Sequence, residues 1–422
     1  MHNFENFKGF AKAELELSKP FTILIGPNGA GKSNVIEAIE LLSFIAYGGP
    51  LHEITDLGRG NYGLQIRGSL SACPRFGKNA FCLRFSDEFR NKPFSYLVEV
   101  QTEPSPLINQ EKLVYDGRII FETITKKEIS SEILVRYDNF AQGGKKPLVS
   151  VSANQSVLSQ YQDFATKNKE REKCLKLIKA IKNSLRAPFV FEPNPKLMRQ
   201  YERVGNRVLA KDGANLSAVL YALAQNNSEQ HILDRLLGWI KPLSDQSYQA
   251  FDFDLTKYHN VMFGLKEGHD KQSVGANLLS DGTLRHLAML TALETVEASS
   301  LVVIEEFDNG LHASRVELLV KAIGDVCQRR NLKVLVTTHN PATLNLLERP
   351  IEQLDGLVLC TWDDAKQASK LTRLFDLPRF EAFLEKGQLG DLVTHRLYER
   401  YLVPHFEEQR KKEVLAWLEN LP

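Results

Sequence analysis

The sequence predicts an α/β fold built around parallel strands. An apolar, β-prone run at 21–25 leads through a glycine loop into a segment with helical spacing at 34–42. Two further apolar runs occupy 301–304 and 334–336. Buried parallel strands typically consist of such continuous apolar runs. We therefore expect a mixed central sheet with helices packed against it.

Composition excludes several classes but selects none. The chain has 422 residues, 43% of them hydrophobic and 25% charged, which suits two or three domains or one large interrupted domain. Lys and Arg number 53 against 52 Asp and Glu, so a globally basic nucleic-acid binder is excluded. No apolar run approaches the roughly 18 residues of a membrane span, and no secretory signal is visible. Five cysteines without a CxxC pair fit a reducing cytoplasm rather than a disulfide framework or a zinc site.

The glycine loop matches the pattern GxxxxGK[ST] in its expected context of strand, loop and helix. Such a loop binds phosphate through backbone N–H groups and the helix N-terminus. Lys32 is placed for the β- and γ-phosphates and the Ser33 hydroxyl for Mg²⁺, which indicates ATP and Mg²⁺ as ligands. The candidate nucleotide-binding residues of this loop are Gly26, Pro27, Asn28, Gly29, Ala30, Gly31, Lys32, Ser33 and Asn34.

Two carboxylates and a histidine follow the later apolar runs. Glu305 and Glu306 come directly after 301–304. Glu305 is placed to hold Mg²⁺ and Glu306 to act as general base on an attacking water. His339 follows 334–336 and could contact a γ-phosphate. Solvated loop residues are the alternative for all three, and only their combination with the glycine loop favours a catalytic role.

A serine precedes a further amphipathic helix, in the segment Leu279-Ser280-Asp281-Gly282-Thr283. Ser280 is predicted to cap this helix. The same geometry can also form an anion site. A plain helix cap is the alternative.

The order of these motifs resembles that of ABC-type ATPases of the RecF, SMC and OLD superfamily. More closely, the chain is similar to compact predicted AAA-family ATPases of bacteria, many of which lie in DNA-repair or phage-defence loci. The resemblance spans nearly the whole chain and is carried by the segments 6–10, 26–34, 211–216, 279–283, 304–312 and 386–391.

The resemblance implies a mechanism. Two heads pack head to tail around two ATP molecules, so that Ser280 and Gly282 contact the nucleotide of the second copy. Glu306 is then the catalytic base, with Lys32 and His339 also in the catalytic set, and His339 as switch histidine. Asn309 and Gly310 fall in the loop between protomers. Asp281 departs from the glycine of the ABC-transporter signature. The glutamine of the Q-loop stays open among Gln65, Gln101, Gln142 and Gln155.

The remaining segments are assigned to subregions of one interrupted head, 1–422. An antiparallel β-subdomain is expected at 60–140, a helical insertion at 150–265, the signature, Glu-Glu and histidine motifs at 266–350, and a final strand and helices at 351–422. The predicted antiparallel strands are 64–70, 80–85, 94–100, 118–123 and 133–137. No heptad run or Toprim nuclease domain is recognised, and 394–421 is predicted as an amphipathic helix.

Three functional hypotheses follow. The first is an ATP-hydrolysing switch, acting in a bacterial defence or DNA-processing system with a separate effector such as a nuclease or toxin. The second is a slow or inactive nucleotide-bound scaffold for that effector. The third is a RecF-like DNA-repair clamp that contacts DNA through Lys176, Lys179 and Lys182, although a solvated helix face is the favoured explanation of this stripe. A second copy of the chain is the expected partner, and no membrane is.

Overall fold

The computed structural model describes residues 1–56, 63–124, 130–243, 246–268, 272–345, 356–377, 380 and 385–394. The strands are β1 (His2–Phe7), β2 (Phe10–Leu15), β3 (Phe21–Ile25), β4 (Ala80–Phe89), β5 (Lys92–Gln101), β6 (Leu107–Tyr115), β7 (Arg118–Ile124), β8 (Glu132–Tyr137), β9 (Leu148–Ser152), β10 (Phe189–Phe191), β11 (Glu202–Arg203), β12 (Tyr248–Leu255), β13 (Asn260–Glu267), β14 (Gln272–Gly275), β15 (Leu301–Ile304), β16 (Lys333–Thr338), β17 (Leu357–Asp363) and β18 (Ala368–Arg373). The helices are α1 (Lys32–Ala46), α2 (Val157–Phe164), α3 (Lys169–Ser184), α4 (Pro195–Met198), α5 (Leu216–Gln225), α6 (Gln230–Leu243), α7 (Asp281–Thr295), α8 (Ala313–Arg330), α9 (Pro341–Asn345) and α10 (Leu389–Thr394).

Two compact units share the chain. The first unit consists of Met1–Ser18, Pro27–Pro188 and Cys360–Leu371. The second consists of the described residues within Lys19–Gly26, Phe189–Leu359 and Thr372–Pro422.

Antiparallel strands dominate the first unit. They lie in the order β2-β1-β4-β5-β6-β7-β8-β9, and β18 adds a parallel partner to β2 through the pair Ser369 and Phe10. Within β5 the side chains of Phe94, Tyr96, Val98 and Val100 are buried, whereas the residues between them are partly exposed. This period of two is what a strand with one covered face requires.

A buried glutamate joins this sheet to α2. The Glu111 carboxylate accepts hydrogen bonds from the backbone N–H groups of Val157 (2.7 Å) and Leu158 (2.8 Å), and from the Tyr96 hydroxyl (3.1 Å). It therefore satisfies two donors that the first turn of a helix leaves without partners. Burial raises the pKa of Glu111 to about 7.

Parallel strands form the centre of the second unit, in the order β10-β15-β16-β3-β17. Ile304 of β15 lies beside Val336 of β16, and Thr338 of β16 lies beside Ile25 of β3. The carboxyl ends of these strands therefore share one edge. Buried side chains of α5, α6, α7 and α8 form a core with the strands. A smaller antiparallel sheet contains β11, β13, β12 and β14.

The predicted α/β fold with a mixed sheet, an antiparallel subdomain and helices is confirmed. The predicted strands at 80–85, 94–100, 118–123 and 133–137 are also confirmed. The strand predicted at 64–70 is wrong. Gly68 (φ 75°) and Ser69 (φ 59°) adopt left-handed conformations there, which end the extended chain in a turn.

Other expectations differ from the structure in part. The segment predicted as a helical insertion, 150–265, also contains β10, β11, β12 and most of β13. The assignment of one interrupted head stays a prediction. Of the amphipathic helix predicted at 394–421, residues 395–421 lie outside the described part. None of the described helices is long and apolar enough to cross a membrane.

Candidate functional site

The glycine loop forms a tight turn at the start of α1. Gly29 (φ 82°) and Gly31 (φ 113°) are both left-handed, and Gly31 is the N-cap of the helix. The Ala30 N–H donates to the Pro27 carbonyl (3.2 Å), and the Lys32 ammonium donates to the same carbonyl (3.1 Å). The loop therefore curls around the helix N-terminus, where backbone N–H groups favour an anion.

Side chains that are distant in sequence support this loop from within the first unit. A Cβ atom at Gly31 would lie 2.9 Å from Ser369 Oγ and 3.3 Å from Phe10 Cζ, so only glycine fits. The Cys360 thiol donates to the Ala30 carbonyl at 3.2 Å, and burial raises the pKa of this thiol to about 12. Sequence analysis missed Ser369 and Cys360 because no local pattern links them to the loop.

A charged cluster holds the next turn of α1. Glu37 is buried, and its carboxylate binds the Lys8 ammonium and the Arg67 guanidinium. A second nitrogen of Arg67 lies 3.5 Å from the Asn34 side-chain oxygen. The cluster fixes the direction in which α1 leaves the loop.

In the second unit, three predicted residues meet beyond the carboxyl ends of β15 and β16. Glu306 Oε1 lies 3.3 Å from His339 Nδ1, and Asn309 Nδ2 donates to Glu306 Oε2 at 3.3 Å. The side chains of His339 and Glu306 are 47% and 44% exposed, so water reaches both. Glu305 lies one residue nearer the strand and is half-buried.

The backbone at Glu306 is held in a left-handed conformation, with φ of 48°. Its N–H donates to Thr337 Oγ1 at 3.0 Å, and its carbonyl accepts from the Asn309 N–H at 2.9 Å. This conformation costs a non-glycine residue about 1–3 kcal/mol, and it persists only where surrounding contacts hold it. These contacts hold the backbone from which the Glu306 carboxylate extends.

Asp308 braces the same turn and was not singled out by sequence analysis. Its buried carboxylate accepts hydrogen bonds from the hydroxyls of Thr338 (2.8 Å) and Thr343. It thereby ties the chain after β15 to the chain after β16. The threonines at the end of β16, Thr337 and Thr338, were the sequence feature that could have indicated a partner for Asp308.

Ser280 caps α7, as predicted. Its hydroxyl accepts from the Thr283 N–H at 3.1 Å. The neighbouring Asp281 carboxylate pairs with Arg199 at 2.6 Å, and Arg199 also donates to the Leu279 carbonyl at 2.8 Å. Asp281, which stands where the ABC-transporter signature has glycine, is therefore neutralised by an arginine.

Gly282 packs directly against the turn that carries Asn309. A Cβ atom at Gly282 would lie 2.7 Å from the Gly310 carbonyl oxygen. Below it, His286 is 1% exposed, and burial lowers the pKa of its ring to about 4. Gly282 is thus required for packing within the chain, whatever its contact with a second copy.

The predicted residues fall in both units. The loop from Pro27 to Asn34 belongs to the first unit, whereas Glu305, Glu306, Ser280 and His339 belong to the second. The joint binding of Mg²⁺ by Ser33 and Glu305 stays a prediction. Within the described residues, no group of three or more His, Cys, Asp or Glu forms a metal site.

The Lys176, Lys179 and Lys182 stripe lies on α3 in the first unit. Lys176 and Lys179 are exposed, whereas Lys182 is half-buried, and burial lowers its pKa. The four candidate Q-loop glutamines also lie in this unit; Gln101 donates to the Glu103 carbonyl. None of these observations selects one glutamine.

Several known proteins are similar to this chain. It is 24% identical over 372 residues to an "ATP/GTP phosphatase" of Helicobacter pylori, covering 83% of this chain and 88% of that protein. A stretch of 43 residues, 10% of this chain and 11% of the relative, is 51% identical to the "DNA replication and repair protein RecF" of Gloeobacter violaceus. The solved structure "Crystal structure of the SmcHead bound to the C-winged helix domain of ScpA" covers 88% of this chain and 96% of its own, with 14% identity and a TM-score of 0.49.

One family profile matches most of the chain. It is described as "AAA domain, putative AbiEii toxin, Type IV TA system" and matches residues 21–345. The match includes the glycine loop, the Ser280 helix cap and the Glu306 turn. The chain therefore belongs to this AAA-domain family, and its resemblance to the ABC-type ATPases of the RecF and SMC superfamily is confirmed.

Proposed function

We propose that the protein is an ATP-hydrolysing switch. The observation that carries the proposal is the turn after β15, where the Glu306 carboxylate contacts both His339 and Asn309. A water-accessible carboxylate held by two polar side chains is suited to orient a water and accept its proton. The ATP/GTP phosphatase named among the relatives supports the same chemistry.

Each predicted residue has a role in this proposal. The loop amides and Lys32 bind the phosphates, and Glu306 receives a proton from the attacking water. His339 contacts the γ-phosphate, so that its position reports whether that phosphate is present. Ser33 and Glu305 are oxygen donors of the type that Mg²⁺ prefers, and the ion would neutralise phosphate charge.

ATP-driven pairing of two copies completes the site. We propose that Ser280 and Gly282 of one copy contact the nucleotide bound to the other. Arg199 supports this role because it neutralises Asp281, a carboxylate that would otherwise repel a phosphate. The exposed Ser280 hydroxyl at a helix N-terminus is a suitable donor.

The cellular context is the finer part of the proposal. We propose a cytoplasmic defence role with a separate effector, and the family description, which names a putative toxin of a type IV TA system, supports only the defence context. A DNA clamp acting through the lysine stripe has less support, because Lys182 is half-buried. Such a clamp predicts salt-dependent DNA binding that charge reversal of Lys176 and Lys179 abolishes.

Two substitutions test the enzyme assignment. Lys32→Ala should abolish ATP binding. Glu306→Gln should keep ATP binding, slow hydrolysis by about 10²- to 10⁴-fold, and trap a dimer in analytical ultracentrifugation. Glu317→Gln is the control, because Glu317 is an exposed glutamate of α8 that pairs only with Lys321 among the described residues.

Steady-state phosphate release and sedimentation decide between the outcomes. Hydrolysis by Glu306→Gln at the wild-type rate would show that the base assignment is wrong. Tight ATP binding without turnover by the wild-type chain, with or without DNA, would favour the scaffold hypothesis instead.

A further inference from the structure

A cavity of about 490 Å³ lies in the second unit, at the C-terminal ends of α7 and α8. We call it the arginine cavity. One wall is aliphatic and comes from α5 and α6, through Val219, Ala222, Leu223 and Ile232. The lining also contains four arginines: Arg207, Arg235, Arg329 and Arg330. None of residues 26–34 lines it.

Glu294 neutralises only part of this charge. Its carboxylate, 2% exposed, accepts from Arg235 (3.1 and 3.2 Å) and from Arg329 (2.6 and 3.1 Å). Arg329 also pairs with Asp325 at 3.4 Å, whereas Arg235 pairs with Glu294 alone among the described residues. The bidentate contact uses one edge of Arg235, and its remaining nitrogen, NH1, makes no hydrogen bond within the described part of the chain. The pair holds Arg235 in place while leaving donors for another anion.

Arg207 adds a positive charge that the fold does not use. It lies in the loop between β11 and α5, its side chain is exposed, and it makes no hydrogen bond or ion pair with the described residues. Arg330, in contrast, donates to the carbonyls of Leu293 and Val296 at the end of α7. Arg207 is thus the cavity residue whose charge is most directly available to a ligand.

A second carboxylate gives the cavity an acceptor for hydrogen-bond donors in addition to its anion-binding arginines. Glu229 is half-buried and has no ion-pair partner among the described residues. A free carboxylate beside guanidinium groups suits a ligand that carries hydroxyl or amino donors as well as a phosphate. The aliphatic wall suits the face of a flat ring, and the volume lies within the roughly 300–1,000 Å³ of small-molecule sites.

We propose that the arginine cavity binds a free mononucleotide. Its phosphate contacts Arg207 and Arg235, its hydroxyl or amino groups donate to Glu229, and its base packs on Ala222 and Ile232. The cavity lies at one end of α7 and Ser280 at the other, about 20 Å away for a helix of 15 residues. A ligand here would hold the end of the helix whose beginning carries the Ser280 cap.

Isothermal titration of AMP into the full chain tests this site. The titration uses the Lys32→Ala background, so that the glycine loop does not contribute. Arg207→Glu should weaken AMP binding by about tenfold or more, since a charge-assisted contact is lost and a repulsion is added. Ala222→Phe should weaken it as well by filling the space beside the aliphatic wall. Arg203→Glu is the control, because Arg203 is an exposed arginine on nearby β11 that does not line the cavity.

Three outcomes would overturn the proposal. The first is the absence of saturable AMP binding at millimolar concentrations by a protein whose circular dichroism matches the wild type. The second is equal weakening by Arg203→Glu, which would show a nonspecific charge effect. The third is binding of inorganic phosphate as tightly as AMP, which would show that the aliphatic wall and Glu229 recognise nothing.

Discussion

Mild acid should destabilise the second unit because His286 is buried there as a neutral ring. The residue lies in α7, 1% exposed, and its Nε2 atom has no hydrogen-bond partner among the described residues. Burial, together with the positive charges of Arg285 and Arg315, lowers the pKa of the ring from 6.5 to about 4. A proton therefore binds the unfolded chain more readily than the folded one.

The sign and size of the effect follow from this difference. Above pH 6.5 neither state holds the proton, and between pH 6.5 and about 4 only the unfolded state does. The free energy of unfolding thus falls as the pH drops through this range. At about 1.4 kcal/mol for each unit of the pKa difference, the unfolding free energy falls by about 3 kcal/mol in all. About 2 kcal/mol of this loss occurs between roughly pH 7 and pH 5.

Urea unfolding near pH 7 and near pH 5 measures the loss. Trp239 of α6 packs against the core of the second unit, so its fluorescence reports unfolding there. The His286→Gln protein should lose about 2 kcal/mol less than the wild type between the two pH values. His231→Gln is the control, since His231 is an exposed histidine of α6. Parallel losses in the wild-type and His286→Gln proteins would refute the assignment to His286.

Two further substitutions give distinct outcomes. Glu111 has the opposite sign: burial raises its pKa from 4.5 to about 7, so the stability it contributes below pH 4.5 is lost as the pH rises to about 7. Glu111→Gln should remove this pH dependence, which amounts to about 3 kcal/mol in full. The free energy of unfolding, measured with urea at several pH values in this range, would contradict the assignment if it changed with pH as in the wild type. Arg199→Ala should weaken ATP-dependent dimerisation, measured by sedimentation, because it leaves Asp281 unpaired beside the proposed phosphate. The melting temperature of the Arg199→Ala protein should change little, because the Asp281 side chain is 64% exposed and such an ion pair is worth at most about 1 kcal/mol. Undiminished dimerisation of this variant would show that Asp281 points away from the nucleotide.

Local patterns were sufficient for the parts of the site that lie within a few residues of each other. The glycine loop, the apolar runs of β15 and β16, and the Ser280 cap each depend on neighbouring residues, and each forms as predicted. Residues 64–70 alternate between apolar and polar side chains as a strand would, and this pattern therefore predicts a strand. The positive φ angles of Gly68 and Ser69 instead turn the chain there.

Long-range partners could not be predicted in this way. Arg199 and Asp281 are 82 residues apart, and Cys360 and Ala30 are 330 apart. The sequence around one residue of each pair does not indicate its partner, because such contacts depend on how strands and helices pack and not on spacing along the chain. The same holds for Glu111, whose carboxylate accepts from the N–H of Val157, 46 residues further along the chain.

The close approach of Gly282 and Gly310 has a consequence for communication between two active sites. In the proposed ATP-bridged pair, Gly282 senses the nucleotide of the partner, whereas Gly310 follows Asn309, which contacts the catalytic carboxylate of its own protomer. Because the Gly282 backbone packs directly against Gly310, a shift of Gly282 on nucleotide binding would transmit occupancy of one site to the base of the other. Hydrolysis should therefore rise with ATP concentration more steeply than independent sites allow.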